Sequence, residues 1–161
     1  MRDSFHDDLD GIGTSLVEMG HLVNKAMERA TTALLTADLK VAEEIISEDD
    51  TIDDMQHDIE ARAINLMARQ QPVAGDLRTL VTSLRMSADL ERMGDLAHHV
   101  AKLTRMRYPA AAVPPELVLT LQEMGNVTAR ITQKAIGVIE SRNLEAALQL
   151  EKDDDEMDIL H

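Results

Sequence analysis

Cysteine and tryptophan are both absent from the 161 residues, and there is one Phe and one Tyr. The chain therefore has no disulfide framework, thiolate metal site or thiol nucleophile. It also lacks the aromatic platform on which nucleobases stack. Basic residues are scarce: 16 Lys and Arg stand against 30 Asp and Glu, for a net charge of −14. That balance excludes a protein that grips nucleic-acid phosphates. No apolar run approaches the roughly 18 residues of a membrane span. The opening MRDSFHDDLD does not have the basic-then-apolar order of a signal peptide, so the expected location is the cytoplasm.

What is present is helical periodicity. Leu9, Ile12, Leu16, Met19, Val23, Ala26, Ala30 and Ala33 step by threes and fours. Ile45, Ile52, Met55, Ile59 and Leu66 continue the rule, and Leu117, Leu121, Met124, Ile131, Ala135 and Val138 repeat it later. Such stripes mark amphipathic helices. The breaks are short: Ala37-Asp38, Gln70 to Gly75 around Pro72, Tyr108 to Pro115 with three prolines, and Arg142-Asn143. They predict helices near 4–36, 39–70, 76–107, 115–141 and 144–161, with Asp76 capping the third. Long helices joined by such turns lie antiparallel. Gly94 inside the third helix admits close approach of a neighbour.

An internal repeat organises the chain. At an offset of 105 residues, ten of the 40 positions from 16 to 55 meet identical residues, among them Gly20 with Gly125, Leu39 with Leu144, Asp49 with Asp154 and Asp53 with Asp158. Chance gives about three for typical compositions. The unit is a three-helix bundle of about 105 residues, repeated. The fold class is all-α: tandem antiparallel three-helix bundles, the second incomplete. The expected divisions are residues 1–108 as the first bundle, 109–115 as a Pro-rich linker and 116–161 as a partial second bundle. The third helix of the second unit would begin near position 181, so the sequence reads as truncated. The apolar stripe along Leu121, Met124 and Ile131 is then expected to be covered by a second copy of the chain.

The negative charge is clustered. Residues 41–60 hold nine acidic side chains and no Lys or Arg, and residues 145–158 hold seven with only Lys152 opposing. A solvated helix face is the bland explanation of any one such run. Two features point elsewhere: like charges four apart destabilise a helix unless a cation joins them, and the pair Asp49/Asp53 recurs as Asp154/Asp158. Glu91 and Asp95 on the third helix have the same spacing. Asp53 lies 18 residues before Gln71, about 27 Å along a helix. Glu91 and Asp95 lie 15 and 19 residues after Asp76, about 22 and 28 Å. In an antiparallel hairpin the two pairs come level. Four carboxylates suit hard cations such as magnesium, manganese, calcium or iron, and more than one ion. His57 and His98 are near enough in sequence to add ligands. The third helix, with Arg78, Arg85, Arg92, Lys102, Arg105 and Arg107, is the one locally basic element and is expected to offset the acidic second helix. No Gly-rich phosphate loop, catalytic triad or ferritin-type Glu-x-x-His pair is present.

The stretch Gln70-Gln71-Pro72-Val73-Ala74-Gly75-Asp76-Leu77-Arg78, followed by Asp89-Leu90-Glu91-Arg92-Met93-Gly94-Asp95, resembles the PhoU family of phosphate-signalling proteins. Met1-Arg2…Phe5 and Asp49-x-x-Ile52-Asp53 agree with it. The resemblance implies a non-enzymatic cytoplasmic negative regulator of the phosphate-starvation response. It would be an adaptor, a homodimer, that couples the ATPase subunit of a Pst-type phosphate transporter to a PhoR-type histidine kinase, meeting the membrane only through partners. It further implies multinuclear metal clusters of iron, zinc, manganese or magnesium. Their acidic pairs map onto Asp49/Asp53 and Glu91/Asp95 in the first bundle and Asp154/Asp158 in the second. Asp76, Arg78 and Arg92, within the motifs, are candidate partner contacts. Leu96 stands where the family pattern places a histidine. The alternative weighed on the residues alone is a metal-dependent hydrolase or oxidase built on the carboxylate cluster, which needs an open coordination position in a cleft.

Overall fold

The computed structural model describes residues 2–161, without the side chains of Arg2, Asp3, Asp49 and Gln70. Six α-helices follow in order: α1 (Arg2–Thr36), α2 (Leu39–Ser47), α3 (Asp49–Gln70), α4 (Ala74–Arg107), α5 (Val118–Ser141) and α6 (Leu144–Leu160), with one 3-10 turn at Pro115–Leu117 before α5. The described residues contain no strand. None of the described helices is long and apolar enough to cross a membrane.

The α1 stripe forms the axis of the core. Leu9, Ile12, Leu16, Met19 and Val23 are buried against Ile52, Ile59, Ala63 and Leu66 of α3 and Leu80 and Leu90 of α4. Each large aliphatic side chain so buried contributes about 1.5–3 kcal/mol. Toward the C-terminal end of α1 the core changes to small residues: Ala30 and Ala33 meet Ala42 of α2 and Ala97 and Ala101 of α4.

Three expected boundaries differ, one of them the start of α5, which follows a 3-10 turn and begins at Val118 rather than near 115. The second helix is interrupted at Glu48, which sits at φ −90° and ψ −3°. The Ser47 hydroxyl there donates to the Glu44 carbonyl at 2.7 Å, a local bond that competes with the helical ladder. The next helix begins at Ala74, with extended Val73 as its N-cap residue and no side-chain cap. Asp76 is therefore in the first turn rather than the cap, where its charge still favours the positive end of the helix.

The repeat is visible in local geometry. Ala37 and Arg142 both take left-handed backbone, at φ 52° and 54°. Each precedes an extended Asx residue whose side chain caps the next helix: Asp38 accepts from Val41 N, and Asn143 accepts from Glu145 N and Ala146 N.

The two repeats also dock on each other, with α5 packed along α1. A Cβ at Gly20 would come within 2.7 Å of Ile136 Cγ1, and one at Gly125 within 2.7 Å of Thr31 Cγ2. Adding 105 converts Gly20 to 125 and Thr31 to 136, so these two contacts are one contact repeated about an internal pseudo-twofold. Val127, Thr132 and Ile136 are buried there. Leu121, Met124 and Ile131 are half-buried within the single chain. The expectation of a covering second copy did not include this docking of α5 on α1. By contrast, among the described helices α6 packs on α5 alone, and Leu144, Leu148 and Ile159 are exposed.

Candidate functional site

The register of α3 against α4 is set by one close approach. A Cβ on Gly94 would lie 3.0 Å from Ile52 Cδ1 and 3.2 Å from its Cγ2, so a side chain larger than hydrogen at 94 would press on Ile52. Ile52 itself is buried. Asp53 follows Ile52 by one residue, and Asp95 follows Gly94 by one, each a helix rotation of about 100°. On antiparallel helices that face each other, equal rotations turn toward the same flank. Glu91 stands one turn before Asp95 and shares that flank. The Ile52–Gly94 contact thus sets Asp53 on the same flank as Glu91 and Asp95.

Asp53, Glu91 and Asp95 are half-buried. Asp95 receives an ion pair from Arg92 at 3.6 Å within α4. The Asp49 side chain lies outside the described residues. Among the described residues, no group of three or more acidic or histidine side chains is drawn together tightly enough to hold a metal ion. By chemistry the donor set still fits a hard cation, since it offers carboxylate oxygens and no sulfur. His98 lines an adjoining hollow of about 280 Å³ together with Gly94, Ile52, Glu48 and Arg29. His57 is exposed.

Asp154 and Asp158 occupy the repeat-equivalent positions on α6 and are exposed. Because α6 packs only on α5, no described helix faces them as α4 faces α3. Of the candidate partner contacts, Asp76 is half-buried while Arg78 and Arg92 are exposed.

Part of the acidic cluster is answered by cations that the spacing argument missed. Arg29 on α1 donates to Glu44 at 2.8 Å and to Glu48 at 2.6 Å. Lys134 on α5 donates to Asp153 at 2.7 Å. Residue 29 plus 105 is 134, and 48 plus 105 is 153, so Arg29–Glu48 and Lys134–Asp153 are the same bridge in the two repeats. Arg130 pairs with Glu156 beside it. The bond from Lys134, followed by that from Gln149, holds the Asp153 carboxyl below its ordinary pKa. A comparison that scored Arg with Lys and Glu with Asp, rather than identities alone, would have exposed the repeated bridge.

The family model of the PhoU domain matches residues 16–104. A protein of Mycobacterium tuberculosis named phosphate-specific transport system accessory protein PhoU homolog 2 is 45% identical over 161 residues, covering 100% of this chain and 76% of that protein. The chain belongs to the PhoU family. A homolog 1 of the same name from Mycobacterium leprae is 43% identical and covers 100% of the chain and 72% of its own length. Among solved structures, PhoU from Pseudomonas aeruginosa superposes with a TM-score of 0.89 at 28% identity, over 97% of this chain and 74% of that one. The phosphate transport system regulatory protein PhoU from Streptococcus pneumoniae gives 0.86 at 26% identity, over 97% and 72%. The PhoU-domain match ends at Thr104, close to the end of α4, so it coincides with the first repeat apart from the opening turns of α1.

Proposed function

We propose that this PhoU-family chain is an accessory and regulatory component of phosphate transport that does no chemistry of its own. In this reading it is a negative regulator of the phosphate-starvation response, an adaptor between the ATPase subunit of a Pst-type transporter and a PhoR-type histidine kinase. The observation that supports it is similarity, along the whole of this chain and about three quarters of theirs, to proteins named as accessory to the phosphate-specific transport system. An adaptor acts by differential affinity: it binds one state of the transporter or kinase better than the other and so shifts the population. Exposed Arg78 and Arg92 are the side chains available for such contacts at the α4 motifs.

In the same reading Asp53, Glu91 and Asp95, with Asp49, would hold the metal of the first repeat. A cation there would neutralise the acidic flank and tie α3 to α4. Arg92 already offsets Asp95 in part, and the α4 carboxylates stay half-buried, as ligands on a bundle surface would. Asp154 and Asp158 would serve a second site only if another acidic pair faced them.

The test is co-purification of the chain with the transporter ATPase and with the sensor kinase at high and at low phosphate. Association with either that changes with phosphate supports the adaptor. Absence of association with both at every phosphate level overturns it.

A further inference from the structure

We propose that a cleft between the two repeats binds a small amphiphilic anion, an aliphatic body that carries a phosphate or carboxylate head. The cleft has a volume of about 390 Å³, within the range of roughly 300–1,000 Å³ typical of small-molecule sites. It lies between the N-terminal halves of α1 and α4 on one side and the end of α5 with the first turn of α6 on the other. Its apolar wall is made by Leu9, Leu16, Met86, Val138 and Ile139. The wall is aliphatic throughout, which suits an alkyl body and offers a ring nothing to stack on.

The charge of the lining is the second observation. Arg78 and Arg142 both line the cleft, with the hydroxyls of Thr82 and Ser83. Of the five clefts described, this one alone has no Asp or Glu in its lining. In a chain of net charge −14, that is a local reversal of sign. Guanidinium groups suit carboxylate and phosphate oxygens, which they bind in forked pairs. Arg142 is held by Asp10 at 2.8 Å, from outside the lining. Arg78 has no ion-pair partner among the described residues.

Gly13 is the third observation. It lies in the cleft wall, and a Cβ built there meets nothing within 4 Å. Gly20, Gly94 and Gly125 differ, because each has a side-chain atom at 2.7–3.0 Å that would crowd a Cβ. Glycine within a helix is destabilising relative to alanine, so packing gives no reason for Gly13. The repeat carries Val118 at the equivalent position. The missing side chain leaves the cleft open. A ligand seated there touches α1 and α4 of one repeat and α5 and α6 of the other, so its binding stabilises their docking.

The test is calorimetric titration of the full chain with octyl phosphate below its micelle-forming concentration, beside octanol, inorganic phosphate and octyltrimethylammonium. Octyl phosphate is expected to bind saturably at one site, with each of the other three at least about tenfold weaker, because each lacks either tail or negative charge. Gly13→Leu fills the open space and is expected to abolish binding while the unfolding midpoint is kept or raised. Arg142→Ala places there the residue that the repeat uses at Ala37 in the same left-handed backbone, so the fold is kept, and binding is expected to fall about tenfold. Absence of saturable heat overturns the proposal. So does octanol or inorganic phosphate binding as well as octyl phosphate, or an unchanged affinity in Gly13→Leu or Arg142→Ala.

Discussion

The docking of the repeats can be measured at one point, where Gly20 of α1 meets Ile136 of α5. In Gly20→Ala the new Cβ stands 2.7 Å from Ile136 Cγ1 and 3.2 Å from Cδ1, about 1 Å inside ordinary van der Waals contact. Alanine improves helix propensity by about 1 kcal/mol. Overpacking costs about 1–3 kcal/mol, so the net change is a loss of about 0–2 kcal/mol. Ile136 is 3% exposed, and Ile136→Ala costs about 2–5 kcal/mol through lost burial and the cavity left behind. In the double variant both offending atoms are gone and the Gly20→Ala methyl enters the cavity. Gly20→Ala then becomes stabilising, by about 1 kcal/mol or more. The coupling energy across the cycle is therefore about 1–3 kcal/mol in favour of the double variant. Urea denaturation of the four proteins, followed by helical circular dichroism, gives each free energy. Additivity within about 0.5 kcal/mol would refute the contact, and with it the pseudo-twofold docking of α1 and α5.

Two further outcomes follow from the repeat. Asp38→Ala and Asn143→Ala remove the side-chain caps of α2 and α6, and each is expected to lower stability by about 1 kcal/mol in urea denaturation; no change in either would mean that its cap is not formed. Asp153 has a depressed pKa in the folded chain, chiefly through its bond with Lys134. Its stabilising effect is then fully present above the ordinary carboxylate value of 3.8 and is lost as acidification passes through the lowered one. Comparison of wild type with Lys134→Met by urea midpoint across this range should show a stability gap that closes on acidification; a gap that is constant or widens contradicts the assignment.

Much of the helix plan was legible because the apolar period of α1 and its short, proline- or Asx-marked breaks allow few alternatives. The repeat supplied the rest, since Ala37-Asp38 and Arg142-Asn143 mark the same turn twice. The break at Glu48 was not legible. It rests on a local Ser47 bond and on a change from leucine to alanine packing, neither of which interrupts the apolar pattern. The α4 start was misplaced by two residues because Asp76 is a good cap by type, whereas Pro72 lets the helix begin at Ala74 without one. Docking of α5 on α1 was hidden for a different reason. Its contact residues, Gly20, Thr31, Gly125 and Ile136, are not a hydrophobic stripe. At the acidic site, level placement of Asp53 with Glu91 and Asp95 could be counted from the turn. The Arg29 and Lys134 bridges come from helices distant in sequence, so no local spacing revealed them.

The central claim is that the acidic pairs of α3 and α4 share one flank and together hold hard cations. Elemental analysis of the purified chain, after equilibration with iron or manganese and removal of free ions, tests this most directly. The account predicts stoichiometric metal in the wild type, and its loss in Asp53→Asn with Asp95→Asn, a variant that keeps the side-chain shapes and the Ile52–Gly94 contact. A wild type that retains no metal, or a double variant that retains as much as wild type, would contradict it.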